Sequence, residues 1–281
     1  MDRLITGKTK LYAVIGDPIS HSISPEIHNR IFKELDIDGN YISLRIPSNE
    51  LRESMGLLRN NFKGFNVTIP HKEAIIPLLD ELDERAKIYG AVNTVKIEDG
   101  KLKGYNTDGY GFVKSLEDLK IPLEDKSVMV LGAGGAARVI AYELLVKGCD
   151  VTIANRNLEK AKNLKGNLME ATGKESKVVS LGNIAGAYQI IVNTTPVGMS
   201  ATADQMPITE DIIKKAEIVY DLIYNPNPTK LLKVAKQYNC RVINGLTMLF
   251  YQAVKAEEIW LGNSISDLLA SKVLTVMTKN K

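Results

Sequence analysis

Cysteine is nearly absent: Cys149 and Cys240 are the only two in 281 residues, and they form no Cys-x-x-Cys pair. That excludes a disulfide scaffold and a paired-thiol redox centre. Each precedes a strand-like run, and both read as reduced core thiols. Histidine is equally scarce. His21, His28 and His71 are the full set, and no two stand in a helical i, i+4 pair, so no metal is expected. The formal charge of +3 comes from 36 basic against 33 acidic residues, with no run of five like charges. A nucleic-acid arm and a basic membrane patch are therefore excluded, while a small anionic ligand suits the balance. No stretch approaches the roughly 18 apolar residues of a membrane helix, and the opening "MDRLITGKTK" lacks the apolar core of a signal peptide. A soluble, cytoplasmic protein, monomer or homodimer, is the expectation.

What is present is ordinary globular material: 44% hydrophobic and 25% charged residues without a low-complexity tract. The length favours two domains. Short strand-like runs alternate with amphipathic stretches over the first hundred residues. "LYAVIG" (11–16) precedes "SPEIHNRIFKEL", where Ile27, Ile31, Phe32 and Leu35 fall at helical spacing behind a Ser24 cap and Pro25. "YISLRI" alternates at period two, "LRESMGLLRN" returns to helical spacing, "FNVTI" reads as a third strand, and a helix begins near His71. This rhythm predicts an α/β layer with a largely parallel sheet. "VNTVKIEDGKLKGYN" reads as a hairpin, and "TDGYGFVKSLEDL" as a helix leading into a second domain. Six further strands are expected near 127–131, 151–154, 177–180, 188–192, 217–221 and 240–243. The chain then ends in two helices, for which the first domain is the host. The domains are accordingly 1–107 with 244–281, and 108–243.

"SVMVLGAGGAARVIAYELLVKG" carries the sharpest local signal. Gly132, Gly134 and Ala137 satisfy G-x-G-x-x-G/A between an apolar strand and an amphipathic helix, the context that a dinucleotide fingerprint requires. Gly132 permits the tight turn, Gly134 admits the pyrophosphate, and Ala137 allows close helix–strand packing. The backbone of Ala133, Gly135 and Ala136 completes the phosphate cradle at the helix start. About twenty residues on, where an acidic residue would hold the ribose 2′-hydroxyl of NAD, stand Asn155 and Arg156. A guanidinium there pairs with a 2′-phosphate, so NADP is the expected cofactor. "IIVNTTPVGM" sets Thr194, Thr195 and Met199 at the ligand-binding edge of another strand, as a wall for the nicotinamide.

Hydride transfer to a carbonyl needs a positioned proton donor, and the first domain is where to seek it. In "NVTIPHK", Asn66 and Thr68 lie two apart on a strand and share a face, where both can bind a polyhydroxylated ligand; Lys72 follows one turn later. In "SHSISPEIHN", Ser22 and Ser24 stand at a helix N-terminus, which favours a carboxylate, although a plain cap is the alternative reading of Ser24.

These segments, together with "GAVNT", "GYNTDGYG", "NRN", "YDLIYNP" and "NGLTMLFYQA", occur in the order and spacing of shikimate dehydrogenases, and the resemblance runs from about residue 11 to 277. It implies an N-terminal α/β substrate domain, a Rossmann-type NADP domain, and final helices that return to the first domain. It implies that Lys72 and Asp108 are the catalytic pair. By the same resemblance, Ser22, Ser24 and Tyr224 hold the substrate carboxylate, while Asn66, Thr68, Asn93, Asp108 and Gln252 bind its hydroxyls. Leu222, Gly245 and Met248 fall near the nicotinamide. The triplet "NRN" departs from the family in having Asn157 where many members carry threonine. "TTPVGM" also varies the commoner small-residue run. The implied reaction is NADPH-dependent reduction of 3-dehydroshikimate to shikimate. A charged Lys72 donates a proton when the ketone is reduced; the reverse direction needs the neutral amine and gains as pH rises. The alternatives are an NAD-using quinate/shikimate dehydrogenase, a dinucleotide sensor that has lost the chemistry, and a folate-type dehydrogenase.

Overall fold

The computed structural model describes residues 4–279. The chain folds as two compact units, the first formed by Met1–Gly111 with Phe250–Lys281 and the second by Phe112–Leu249. Both boundaries fall inside helices, four and six residues beyond the positions 107 and 243 read from the sequence, because each helix runs unbroken from one unit into the other.

The first unit opens with β1 (Lys10–Gly16), α1 (Ser24–Glu34), β2 (Gly39–Arg45), α2 (Leu51–Asn61), β3 (Phe62–Val67) and α3 (His71–Ala74). It continues through β4 (Glu81–Leu82), α4 (Glu84–Tyr89), β5 (Thr94–Glu98), β6 (Lys101–Tyr105) and the start of α5 (Asp108–Asp118). Its six-stranded sheet has the order β2-β1-β3-β5-β6-β4. β1 pairs parallel with β2 and β3, and the hairpin β5–β6 adds antiparallel strands. Successive residues of β1 feed opposite faces: Ala13 and Ile15 enter one apolar cluster, Tyr12 and Val14 the other. A strand buried on both faces reads as a continuous apolar run, which is why "LYAVIG" shows no alternation.

Three local expectations change. The helix near His71 is a single turn followed by a 3₁₀ turn at Ile76–Leu78, because Pro77 has no N–H to give and its ring opposes helical continuation. Helix α1 begins at Ser24 itself, with Ile23 in the cap position and no side-chain cap; the Ser22 hydroxyl instead accepts from the Ser24 N–H at 3.3 Å. Strand β3 ends at Val67, so Thr68 lies one residue past it and does not share a strand face with Asn66. The two-residue β4 was too short to leave a period in the sequence.

The second unit contains β7 (Ser127–Leu131), α6 (Gly135–Val146), β8 (Asp150–Asn155), α7 (Leu158–Thr172), β9 (Lys177–Ser180) and β10 (Ile190–Asn193). It closes with α8 (Glu210–Ile213), β11 (Ile218–Asp221), α9 (Lys230–Gln237), β12 (Arg241–Asn244) and the first turn of α10 (Leu246–Leu261). All its strand pairs are parallel, in the order β12-β11-β10-β7-β8-β9. Val128 and Val130 pack against α6 and α7, whereas Met129 and Leu131 pack against the layer of α9. Cys149 and Cys240 are free and buried in these two layers.

The rest of α10 and α11 (Asp267–Lys279) belong to the first unit. Trp260 docks α10 there, its Nε1 donating to the Val95 carbonyl at 2.9 Å. Its ring covers Gly64 so closely that a Cβ there would lie 2.2 Å from Nε1. No helix among the described residues is long and apolar enough to cross a membrane.

Candidate active site

The first unit gathers its polar residues at one end of the sheet. Lys72, on the turn after β3, has its Nζ 2.6 Å from Asp108 Oδ2, and the two side chains are about one-third and one-fifth exposed. Asp108 is the first residue of α5, and its own N–H donates to Asn106 Oδ1 at 3.0 Å. Its other oxygen accepts from Asn93 Nδ2 at 2.8 Å. Asn93, just before β5, also points that amide at Thr107 Oγ1 and Gln252 Oε1, at 3.0 and 3.3 Å. Gln252 reaches this cluster from α10, and its Oε1 accepts from Thr107 Oγ1 at 3.3 Å. Lys72, Asn93, Asp108 and Gln252 thus converge, although 159 residues separate Asn93 from Gln252.

Asn66 joins the cluster from β3. Its Nδ2 donates to the Asn93 carbonyl and to Thr94 Oγ1, both at 3.0 Å, and its Oδ1 accepts from the Tyr41 hydroxyl at 2.6 Å. Both of its N–H groups are therefore spent on the protein, which leaves Oδ1 as its polar atom with spare capacity. Thr68 is partly buried on the following turn, its methyl in the place where a Gly16 Cβ would project. Ser22 and Ser24 stand at the start of α1, partly buried and buried respectively. His71, next to Lys72, is structural: it is buried and its Nε2 donates to the Ile46 carbonyl at 2.6 Å. That bond turns His71 inward and leaves Lys72 to face the open side.

The second unit presents its candidates along the carboxyl edge of the parallel sheet. The chain order reverses between β7 and β10, and Gly132 and Thr194 stand on the two sides of that switch point. Gly132 has φ +113°, and a Cβ on it would come within 2.7 Å of Thr194 Oγ1, so only glycine fits without strain. Thr194 Oγ1 is itself anchored to the Leu131 carbonyl at 2.6 Å. The next positions are different: Gly134, Gly135 and Ala136 are exposed, and a Cβ at Gly134 would meet nothing within 4 Å. The first turn of the twelve-residue α6 therefore offers its free N–H groups beside open space, while Ala137 is fully buried against the sheet. This arrangement fits a dinucleotide pyrophosphate.

At the end of neighbouring β8, Arg156 is exposed. Asn155 Nδ2 donates to the Asn157 carbonyl at 2.8 Å, and Asn157 Oδ1 caps α7 by accepting from the Lys160 N–H at 3.1 Å. Capping is a task that asparagine and threonine share, so the departure at Asn157 leaves the helix start intact. Leu222 and Gly245 meet at the ends of β11 and β12, where a Gly245 Cβ would fall 1.9 Å from the Leu222 carbonyl oxygen. Met248 packs partly buried against the core, Met199 is exposed, and Tyr224 is half-buried, with burial raising its phenol pKa.

The two units also match known proteins separately. Residues 14–95 match the model of the shikimate dehydrogenase substrate binding domain, and residues 115–219 match that of shikimate / quinate 5-dehydrogenase. A shikimate dehydrogenase (NADP(+)) from Carboxydothermus hydrogenoformans is 44% identical over 265 residues, which cover 92% of this chain and 94% of that protein. The chain belongs to the shikimate dehydrogenase family. A family member of the same name from Methanococcus maripaludis is 45% identical over 264 residues, covering 92% and 94%. Among solved structures, a shikimate dehydrogenase in complex with NADP+ has a TM-score of 0.90 at 40% identity, covering 98% of this chain and 97% of that one. The two-domain α/β architecture of shikimate dehydrogenases is thus the architecture of this chain.

Several residues around the sites escape sequence reasoning. Tyr41 completes the first cluster from an unremarkable strand, and Thr94, Asn106 and Thr107 complete it from within "GAVNT" and "GYNTDGYG", segments that gave them no individual role. In the second unit, the buried Asp221 accepts from Asn193 Nδ2 (3.0 Å), Thr229 Oγ1 (2.7 Å) and the Ile223 N–H (3.1 Å). Asn193 in turn accepts from Thr195 Oγ1 at 2.7 Å, so one carboxyl organises both loops of the cofactor wall. Burial raises its pKa, and the three hydrogen bonds oppose the rise. The available signal was an acid at the end of the apolar strand "IVYD", where a charge has no place unless it is bonded.

Proposed function

We propose that the chain is a cytoplasmic NADP-dependent shikimate dehydrogenase that reversibly reduces 3-dehydroshikimate to shikimate in aromatic amino-acid biosynthesis. The observation that carries this reading is the Lys72–Asp108 pair at 2.6 Å, held by Asn93 and set beside Gln252 and Asn66. A lone surface ion pair would need no such support, whereas an acid/base pair has to be oriented.

The roles follow from the donor and acceptor inventory. NADPH, when bound, supplies a hydride to the substrate carbonyl carbon. The Lys72 ammonium hydrogen-bonds the carbonyl oxygen and passes it a proton as negative charge develops there, and the Asp108 carboxylate keeps Nζ aimed. In the reverse direction the neutral amine takes the proton from the substrate hydroxyl. Ser22 and Ser24, at the N-terminus of the eleven-residue α1, hold the substrate carboxylate. Asn66, Thr68, Asn93 and Gln252 bind the ring hydroxyls. Gly132 to Ala137 receive the pyrophosphate, Asn155 and Arg156 the adenosine 2′-phosphate, and Thr194, Thr195, Met199, Leu222, Gly245 and Met248 flank the nicotinamide.

NADPH consumption with 3-dehydroshikimate, run beside NADH and beside Lys72→Ala, tests the reading. Fast turnover with NADPH, little with NADH, and a loss of about 10²–10⁴-fold in the variant at unchanged NADPH affinity are expected. Absent turnover despite tight NADPH binding would refute it in favour of a sensor, and faster oxidation of quinate with NAD+ would move the assignment to a quinate dehydrogenase.

A further inference from the structure

The chemistry above leaves one buried polar assembly of the first unit without a task. His28, one turn along α1 from Ser24, is fully buried, and its Nδ1 lies 2.6 Å from Oε1 of Glu257, equally buried on α10 five residues after Gln252. The His28 ring stacks on Tyr41, with centroids 4.0 Å apart and planes 3° from parallel. Trp260 packs at a tilt against both rings, at 5.3 and 6.1 Å. Burial lowers the His28 imidazole pKa to about 3 and raises the Glu257 carboxyl well above its usual range, so neither group brings an isolated charge into this core. The ring stack fixes the place of the Tyr41 hydroxyl, which lies 2.6 Å from Asn66 Oδ1 and also interacts with Ser24.

That hydroxyl begins a directed chain of hydrogen bonds. Tyr41 donates to Asn66 Oδ1 at 2.6 Å, Asn66 Nδ2 donates to Thr94 Oγ1 at 3.0 Å, and Thr94 Oγ1 donates to Asn93 Oδ1 at 2.9 Å. Asn93 Nδ2 then donates to Asp108 Oδ1 at 2.8 Å, and the opposite oxygen of Asp108 receives Lys72. Every donor points toward the carboxylate. The backbone adds to this chain, since Asn66 Nδ2 also donates to the Asn93 carbonyl at 3.0 Å and Asn93 Oδ1 also accepts from the Thr107 N–H at 2.8 Å, so the Tyr41 hydroxyl is the partner that holds the oxygen side of the Asn66 amide.

We infer that Tyr41 is a positioning residue of the reaction: its buried hydroxyl holds Asn66 Oδ1, and with Thr94 on the amide side it fixes the Asn66 carboxamide that faces the substrate hydroxyls. The inference rests on the functional reading above. Tyr41 touches no reacting atom in this account, and it acts through Asn66.

Tyr41→Phe removes one oxygen and keeps the ring stack. The expected result is a KM for 3-dehydroshikimate raised about tenfold, with kcat within about threefold of the parent and the KM for NADPH unchanged. Thr94→Val breaks the same chain one link later and should give the same split. If Tyr41 acts through Asn66, adding Tyr41→Phe to Asn66→Ala should cause no further loss. A folded Tyr41→Phe or Thr94→Val with parental KM overturns the inference, as do losses in Tyr41→Phe and Asn66→Ala that multiply in the double variant. A general loss of folded, NADPH-binding protein in both Tyr41→Phe and Thr94→Val, with parental KM in the surviving fraction, also overturns it. If the parent protein itself fails to reduce 3-dehydroshikimate, the functional reading falls first and this inference falls with it.

Discussion

The two sheets solve the problem of building a site in opposite ways. In the second unit the strands are all parallel, and the candidate phosphate site is made of backbone: a glycine turn and the free N–H groups of α6. In the first unit the sheet is mixed, and the site is made of side chains from β3, the loop before β5, α5 and α10, wired to one another by hydrogen bonds. A backbone site tolerates most substitutions except those that add a Cβ. A side-chain site fails when a single polar atom is lost.

The largest effect is expected at the catalytic pair. Asp108→Asn removes the charge that holds Lys72 and should lower kcat by about a hundredfold or more, while titration of NADPH fluorescence shows unchanged cofactor affinity. A matching loss of NADPH affinity would blur the division of labour between the two sheets. Arg156→Gln should raise the KM for NADPH about 10–100-fold and leave that for NADH nearly unchanged, as expected for one charge-assisted contact to a 2′-phosphate. Equal effects on both cofactors would place Arg156 outside the phosphate contact. Gly64→Ala sets a methyl into the Trp260 ring and should cost about 1–3 kcal/mol of stability, read as a lower melting temperature. Here the backbone rule of the second sheet would apply within the first, for packing reasons alone.

The smallest effect concerns pH. A neutral His28, with its pKa lowered from 6.5 to about 3, contributes stability that is complete above 6.5 and is lost as the pH falls toward 3. A Glu257 pKa raised above 4.5 contributes stability that is complete below 4.5 and is lost as the pH rises through its folded value. The two slopes oppose each other above 4.5 and below 6.5, where both groups respond to pH. Glu257→Gln should therefore remove a loss of stability that begins above pH 4.5, so that its melting temperature rises more or falls less with pH than that of the parent, measured by differential scanning fluorimetry from pH 4.5 to 9. Parallel profiles for the two proteins would show that Glu257 is not held protonated.

Legibility followed the same division. The dinucleotide turn could be read directly because its requirements are local: Gly132, Gly134 and Ala137 answer to sterics within one strand–turn–helix. Lys72 could be singled out in "NVTIPHK", whereas Asn93, Asp108 and Gln252 were reachable only through the family resemblance, since nothing near Gln252 in the chain marks it as a neighbour of Asn93. The cap at Ser24 and the strand face shared by Asn66 and Thr68 were misjudged at element ends, where a shift of one residue changes the geometry. Tyr41 carried no usable signal, and the motifs that contain Thr94 and Asp221 did not say what either side chain bonds.

By itself, the sequence determined what depends on neighbours along the chain: the βα rhythm, the glycine turn, the hairpin, and the arginine in place of an acid after β8. Only the tertiary structure decided how α10 docks on the first sheet, with Trp260 over Gly64, so that Gln252 meets Asn93 and Glu257 meets His28. The physical reason is that period and propensity act over a few residues. Hydrogen bonds between side chains remote in sequence exist only once burial has brought their helices and strands together and excluded water as the competing partner.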